Sequence, residues 1–148
     1  MSVKNIDVKQ ANELQTTEGY TYIDVRSVPE FESGHAAGAH NVPLLHRDLS
    51  TGRMQPNSDF LSVIQANYPA DSRLLIGCQM GGRSAKAAEM LLSAGYTDVS
   101  NVLGGFGGHR DSLSGQVINQ GWADAGLPVE LESTPSGSYA ELSRNSGS

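Results

Sequence analysis

Apolar positions along this chain change rhythm several times, and each change marks an element. Val8, Ala11 and Leu14 recur at helical spacing behind Asp7. Gln10, three residues after Asp7, completes a capping box, so a helix is expected to about residue 16. Residues 20–25, YTYIDV, are aromatic and β-branched and read as a strand. Ser27 and Glu30 repeat the capping-box spacing around Pro29, which predicts a short helix ended by Gly34. A short extended piece is expected around Ala39 to Val42, and residues 59–68 show helical spacing with Pro69 as the stop. LLIG, 74–77, is apolar throughout, as in a strand covered on both faces of a parallel sheet.

The clearest helix follows, beginning near Arg83 or Ser84. Ala85, Ala88 and Leu92 share one face, with Ala87 and Leu91 beside them and Lys86, Glu89 and Ser93 opposite; Gly95 suits its C′ position. A last strand near Asp98 to Val102 completes an alternation that predicts an α/β fold, a parallel sheet with helices on both faces. From Glu132 the pattern stops. Residues 133–148 hold six serines and few core-formers, so 132–148 is expected to be a disordered tail behind a single domain at 1–131.

Composition narrows the function classes. A chain of 148 residues suits one domain, and its net charge of −6 argues against nucleic acid or an anionic membrane as partner. The N-terminal MSVKNIDVKQ has no apolar leader core, and no run approaches the ~20 apolar residues of a membrane span. One cysteine cannot form an internal disulfide, which makes the cytoplasm the expected location. That cysteine with four scattered histidines (35, 40, 46 and 109) lacks metal-ligand spacing, so no metal or other cofactor is expected.

The chemistry concentrates at Cys78, where the apolar strand ends and the helix begins. Ligands of open α/β sheets bind at the carboxyl ends of strands. A helix N-terminus pointing back at the thiol favours an anion there, Gly81 and Gly82 allow a curled nest of N–H groups, and Arg83 adds a positive charge. These are the ingredients of an activated cysteine nucleophile, against the plainer reading of a buried small hydrophobe. GGFGG, 104–108, lacks the Lys-Ser/Thr of a phosphate loop and suggests instead a close backbone approach beside the active loop.

YIDVRSVPEFESGHAAGAHNVPL (22–44), CQMGGRS (78–84) and GGF followed by AGLPVE, in that order, resemble the signatures of single-domain rhodaneses over roughly residues 5–131. The resemblance implies a five-stranded parallel sheet flanked by helices, and sulfurtransfer from a donor such as thiosulfate to cyanide or a thiol. It implies that Cys78 carries the persulfide and that Gln79, Met80, Gly81, Gly82 and Arg83 complete a six-residue substrate-binding loop. Asp24, Arg26, Glu30 and His35 match positions taken to brace the loop, although by themselves Arg26 and Glu30 read equally well as solvated surface charges and His35 as a turn residue. The partners implied are a small sulfur donor or a protein persulfide or thiol. Phosphatases and arsenate reductases of this fold carry C-x5-R, one residue longer than the C-x4-R of Cys78 to Arg83, which favours a terminal sulfur over a tetrahedral oxyanion. A non-catalytic rhodanese-like binding module is the other alternative, disfavoured by the retained Cys78 and Arg83. The chain departs from the family at His109, where a Trp is common, and Trp122 follows only after a polar, Gly-bounded segment expected to be a surface loop.

Overall fold

The computed structural model describes residues 3–48, 50–132 and 137–145. In chain order the elements are β1 (Lys4–Ile6), α1 (Val8–Thr17), β2 (Thr21–Asp24), α2 (Val28–Glu32), β3 (His35–Ala36), β4 (His40–Asn41), β5 (Leu45–Arg47) and β6 (Met54–Pro56). There follow α3 (Phe60–Asn67), β7 (Arg73–Gly77), α4 (Gly82–Ser93), β8 (Asp98–Val102), β9 (His109–Arg110), β10 (Val117–Asn119), β11 (Val129–Glu130) and α5 (Tyr139–Arg144). Five strands form the central sheet in the order β1-β8-β7-β2-β4, and every pairing in it is parallel.

Period-two alternation divides the core. Leu74 and Ile76 of β7 face a cluster built with Phe60, Val63 and Ile64 of α3 and Ala87, Ala88 and Leu91 of α4. Leu75 faces the other side, against Val8 and Ala11 of α1, Phe31 of α2 and the fully buried Trp122. The helices after β2 and β7 thus leave on opposite faces, and the crevice between two such neighbouring strands is where an open α/β sheet binds ligands. Asp7 caps α1 with the expected box, its side chain accepting from Gln10 N–H at 2.8 Å.

Three expectations are corrected. The buried stripe of α4 is Ser84, Ala87, Ala88 and Leu91, rotated from the predicted face through Ala85, Ala88 and Leu92. The helix starts earlier than expected, at Gly82, and that start sets which residues point inward. Residues 109–118 are exposed, as a surface loop would be, but the segment 109–121 contains the antiparallel hairpin β9–β10, and Gly121 at its end is buried.

The largest correction is the tail. Residues 137–145 fold onto the domain: Ser138 caps α5, and Leu142 is 4% exposed within the α3–α4 core. Asn67 of α3 donates to the Leu142 carbonyl at 2.9 Å, and Gly137 O accepts from Asn41 N–H at 2.8 Å. Two core-formers suffice because α3 supplies the other half of the contact. The remaining tail positions 133–136 and 146–148 lie outside the described residues.

Candidate active site

Cys78 follows β7 directly and is 2% exposed. Its Sγ accepts from Gly81 N–H at 3.1 Å and Ser84 N–H at 3.4 Å, and lies 3.3 Å from Ser84 Oγ. The curl that aims these N–H groups inward needs Gly81, whose φ is +125°. The Ser84 hydroxyl has one proton and a closer acceptor, Asn101 Oδ1 at 2.6 Å, so its lone pairs are what face the sulfur. Asn101 in turn donates to Asn5 Oδ1 at 3.1 Å, tying the cradle to the two strands beyond β7.

A glycine strap holds the loop from one side. Phe106 N–H donates to Cys78 O at 2.8 Å and Gly107 N–H to Gln79 O at 2.9 Å. A Cβ on Gly105 would stand 2.2 Å from Cys78 O, so backbone meets backbone with no room for a side chain. Trp122 N–H anchors the strap through Gly105 O at 2.8 Å. This is the close approach that GGFGG suggested.

Asp24 and Arg26 are each 2% exposed and form a buried pair. Arg26 Nη2 donates to Asp24 Oδ2 at 2.8 Å and to Gly34 O at 2.7 Å, and Nη1 donates to Gln79 Oε1 at 3.2 Å. The guanidinium also stacks 4.6 Å from the centre of the Phe106 ring, and Nε donates to Asp24 at 3.1 Å, so all three nitrogens and one face are engaged. Glu30 receives Arg83 bidentately at 2.7 and 3.0 Å and accepts from Ser27 Oγ–H at 2.9 Å. Arg83 is the main cause that holds the Glu30 carboxyl at about 2, and the same contact raises Arg83.

The predicted site residues therefore separate. Arg26 and Glu30 brace the loop through direct contacts, and neither is a free surface charge. His35 is fully buried away from the loop: Nδ1–H donates to Phe31 O at 2.7 Å and the ring stacks on Phe31. Its Nε2 lies 3.4 Å from Glu130 Oε1, close enough for an ion pair yet not aligned for a hydrogen bond. Of the five loop residues assigned to substrate, Gln79 and Arg83 turn their side chains to Arg26 and Glu30, whereas Met80 stands 58% exposed. Sequence reasoning assigned no role to Ser84 and Asn101. The available signal was a serine on the buried stripe of α4, which the rotated face concealed.

Beside the loop opens a cleft of about 430 Å³. Met80, Gly81 and Gly82 form one wall, Asn5 and Asn101 come from the sheet, and His109 and Asn119 come from the hairpin. Among the described residues no group of three His, Cys, Asp or Glu is placed to hold a metal ion, and no helix is long and apolar enough to cross a membrane.

The sequence pattern of the family described as Rhodanese-like domain matches residues 7–111. Thiosulfate sulfurtransferase 16, chloroplastic, of Arabidopsis thaliana is 37% identical over 126 residues, which is 85% of this chain and 92% of the relative. Thiosulfate sulfurtransferase 18 of the same plant is 36% identical over 133 residues, 88% of this chain and 85% of the relative. Among solved structures, the crystal structure of Rv0390 from M. tuberculosis superposes with a TM-score of 0.71 at 29% identity, covering 89% of this chain and 100% of that one.

Proposed function

The chain belongs to the family of rhodanese-like domains, and on that premise we propose that it moves a sulfane sulfur from a donor such as thiosulfate to cyanide or a thiol through a persulfide on Cys78. The observation that carries this reading is the cradle, in which two backbone N–H groups already point at Sγ. The Cys78 thiolate attacks the outer sulfur of thiosulfate; an S–S bond to the protein forms, the donor's S–S bond breaks, and sulfite leaves with the electron pair. The terminal sulfur inherits the charge, and the orphan N–H groups in the first turn of α4 are the donors nearest to stabilise it. The acceptor then attacks that sulfur, and Cys78 departs as the thiolate.

Gln79, Met80, Gly81, Gly82 and Arg83 serve this chemistry differently. Met80 and the loop backbone contact the substrates, while Gln79 and Arg83 hold the backbone in place. Cytoplasmic location is part of the same proposal and rests on the single cysteine; the plastid in one relative's name is that relative's own. Intact mass tests the mechanism. Excess thiosulfate should add one sulfur atom, cyanide should remove it, and a Cys78→Ser variant that still accepts and passes on sulfur overturns the assignment.

A further inference from the structure

We propose that the cleft between α2 and α5 is a binding site for an alkylguanidinium group, a planar cation on a short apolar stem. The proposal is independent of the sulfur chemistry above, and none of the described residues around this cleft belongs to the loop from Cys78 to Arg83.

A buried amide carries the argument. Asn41 is 1% exposed and lines the cleft, which encloses about 340 Å³. Its side-chain NH₂ donates to Asp24 O and to Arg26 O, both at 3.0 Å. Two carbonyl partners fix which end of the amide is the nitrogen, so Oδ1 points away from them. Among the described residues no donor reaches Oδ1. The one side-chain atom there that is both enclosed and unpartnered is His35 Nε2. Asn41 Oδ1 is therefore not enclosed, and the opening beside this buried residue is the cleft it lines. An N–H from a ligand would satisfy it.

Charge selects the ligand. Glu32, at the end of α2, and Glu132 are both exposed and line the same cleft. Neither has an ion-pair partner among the described residues, whereas Glu30 in the same helix holds Arg83. No Lys, Arg or His is among the described lining residues. The helix end at the cleft, that of α5, is already capped by Ser138 Oγ, which accepts from Glu141 N–H at 3.3 Å. The open oxygens of Asn41, Glu32 and Glu132 are all acceptors, so the matching ligand is a cationic donor. A guanidinium has five N–H donors and no acceptor, enough to serve a carbonyl and two carboxylates together. Val28, Phe31, Leu131 and Tyr139 give the stem apolar walls, and an aromatic face suits a planar cation. The volume fits a small molecule or a single side chain.

The test titrates the full chain with butylguanidinium, followed by amide NMR, with N-butylurea as the uncharged isostere. The wild type should bind butylguanidinium saturably, with the Asn41 and Tyr139 signals shifting most, and N-butylurea at least about tenfold more weakly. Glu32→Gln and Glu132→Gln should each weaken butylguanidinium by about three- to fivefold, the size of one exposed ion pair. Both side chains are exposed, and unchanged melting temperatures would show that the fold survives. A capped Gly-Arg-Gly peptide separates the sources: binding at least as tight as butylguanidinium assigns the cleft to an arginine of a polypeptide, and weaker binding assigns it to a free small molecule. Either result keeps the cationic site. No saturable binding of butylguanidinium at millimolar concentration overturns the proposal. Equal affinity for N-butylurea, affinity unchanged in both Gln variants, or shifts confined to residues remote from Asn41 overturn it as well. Each of these outcomes leaves sulfur transfer by Cys78 untouched, and failure of sulfur transfer leaves the cleft untouched.

Discussion

The loop from Cys78 to Arg83 has two unlike sides. On the inner side the side chains and carbonyls are tied down: Gln79 meets Arg26, Arg83 meets Glu30, and the carbonyls of Cys78 and Gln79 accept from the glycine strap. On the outer side Met80 is 58% exposed, and a Cβ on Gly82 would meet nothing within 4 Å. The difference shows how a short loop can be rigid and open together. Its geometry is fixed from behind, by backbone, the buried Asp24–Arg26 pair and the half-buried Glu30–Arg83 pair, so the outer face needs no scaffolding of its own.

The harshest way to break this asymmetry is Gly105→Ala. The new Cβ would lie 2.2 Å from Cys78 O at a φ of +53°, so the strap or the loop must move. We expect a loss of about 3 kcal/mol or more, a melting temperature lower by roughly 6–12 °C, and impaired sulfur transfer in the folded protein. A variant that melts and transfers like the wild type would show that the strap does not brace the loop. A remote control sharpens the point. Leu142→Ala, in the helix that replaces the expected tail, should cost about 2–4 kcal/mol by urea unfolding yet leave kcat of the folded protein unchanged. Unaltered stability would mean that α5 does not dock in solution.

Two adjacent glycines divide the sides more finely. Gly81 has a φ of +125° and donates to Sγ, while Gly82 opens α4 without a positive φ. Gly81→Ala should cost about 1–2 kcal/mol from backbone strain and lower sulfur transfer with it. Gly82→Ala should be neutral or stabilise by up to about 1 kcal/mol, since Ala is the better helix former. Melting curves of the pair decide, and equal losses would mean that both glycines are required for their backbone freedom.

How legible all this was in the sequence depends on the range of the interaction. The strand 74–77 and the capping box at Asp7 and Gln10 are written in neighbouring residues and appear where the pattern puts them, whereas the helix after Cys78 is present with its start and buried face shifted. The proposal of Cys78 as the centre of the site rests on the same local grammar. What was not legible is tertiary. Arg26 looks like any surface charge until Asp24, Gly34, Gln79 and Phe106 converge on it. Ser84 gains its role from Asn101, 17 positions away. The α5 helix has only Tyr139 and Leu142 as core-formers, and its anchor is Asn67 on another helix. The strand β1 is three residues long, and the short hairpin β5–β6 lies in a stretch with no strong period.

The smallest expected effect concerns the inner clamp that is still partly wet. Glu30 and Arg83 side chains are 33% and 24% exposed, so their pair should be worth no more than about 1 kcal/mol. Its signature is the pH dependence. The Glu30 carboxyl is held at about 2, below its ordinary 4.5, chiefly by the Arg83 hydrogen bonds. Folding therefore favours the ionised form. The stabilisation is fully present above pH 4.5, shrinks as the unfolded chain gains the proton preferentially, and is gone once pH falls through about 2. Glu30→Gln removes this dependence while the other carboxylates titrate equally in both proteins. The gap in melting temperature between wild type and Glu30→Gln should thus be largest at pH 5–6 and narrow toward pH 2. A gap that stays constant across that range would mean that Arg83 does not gain its hold on the loop from the Glu30 charge, and the inner side would then rest on the strap and Arg26 alone.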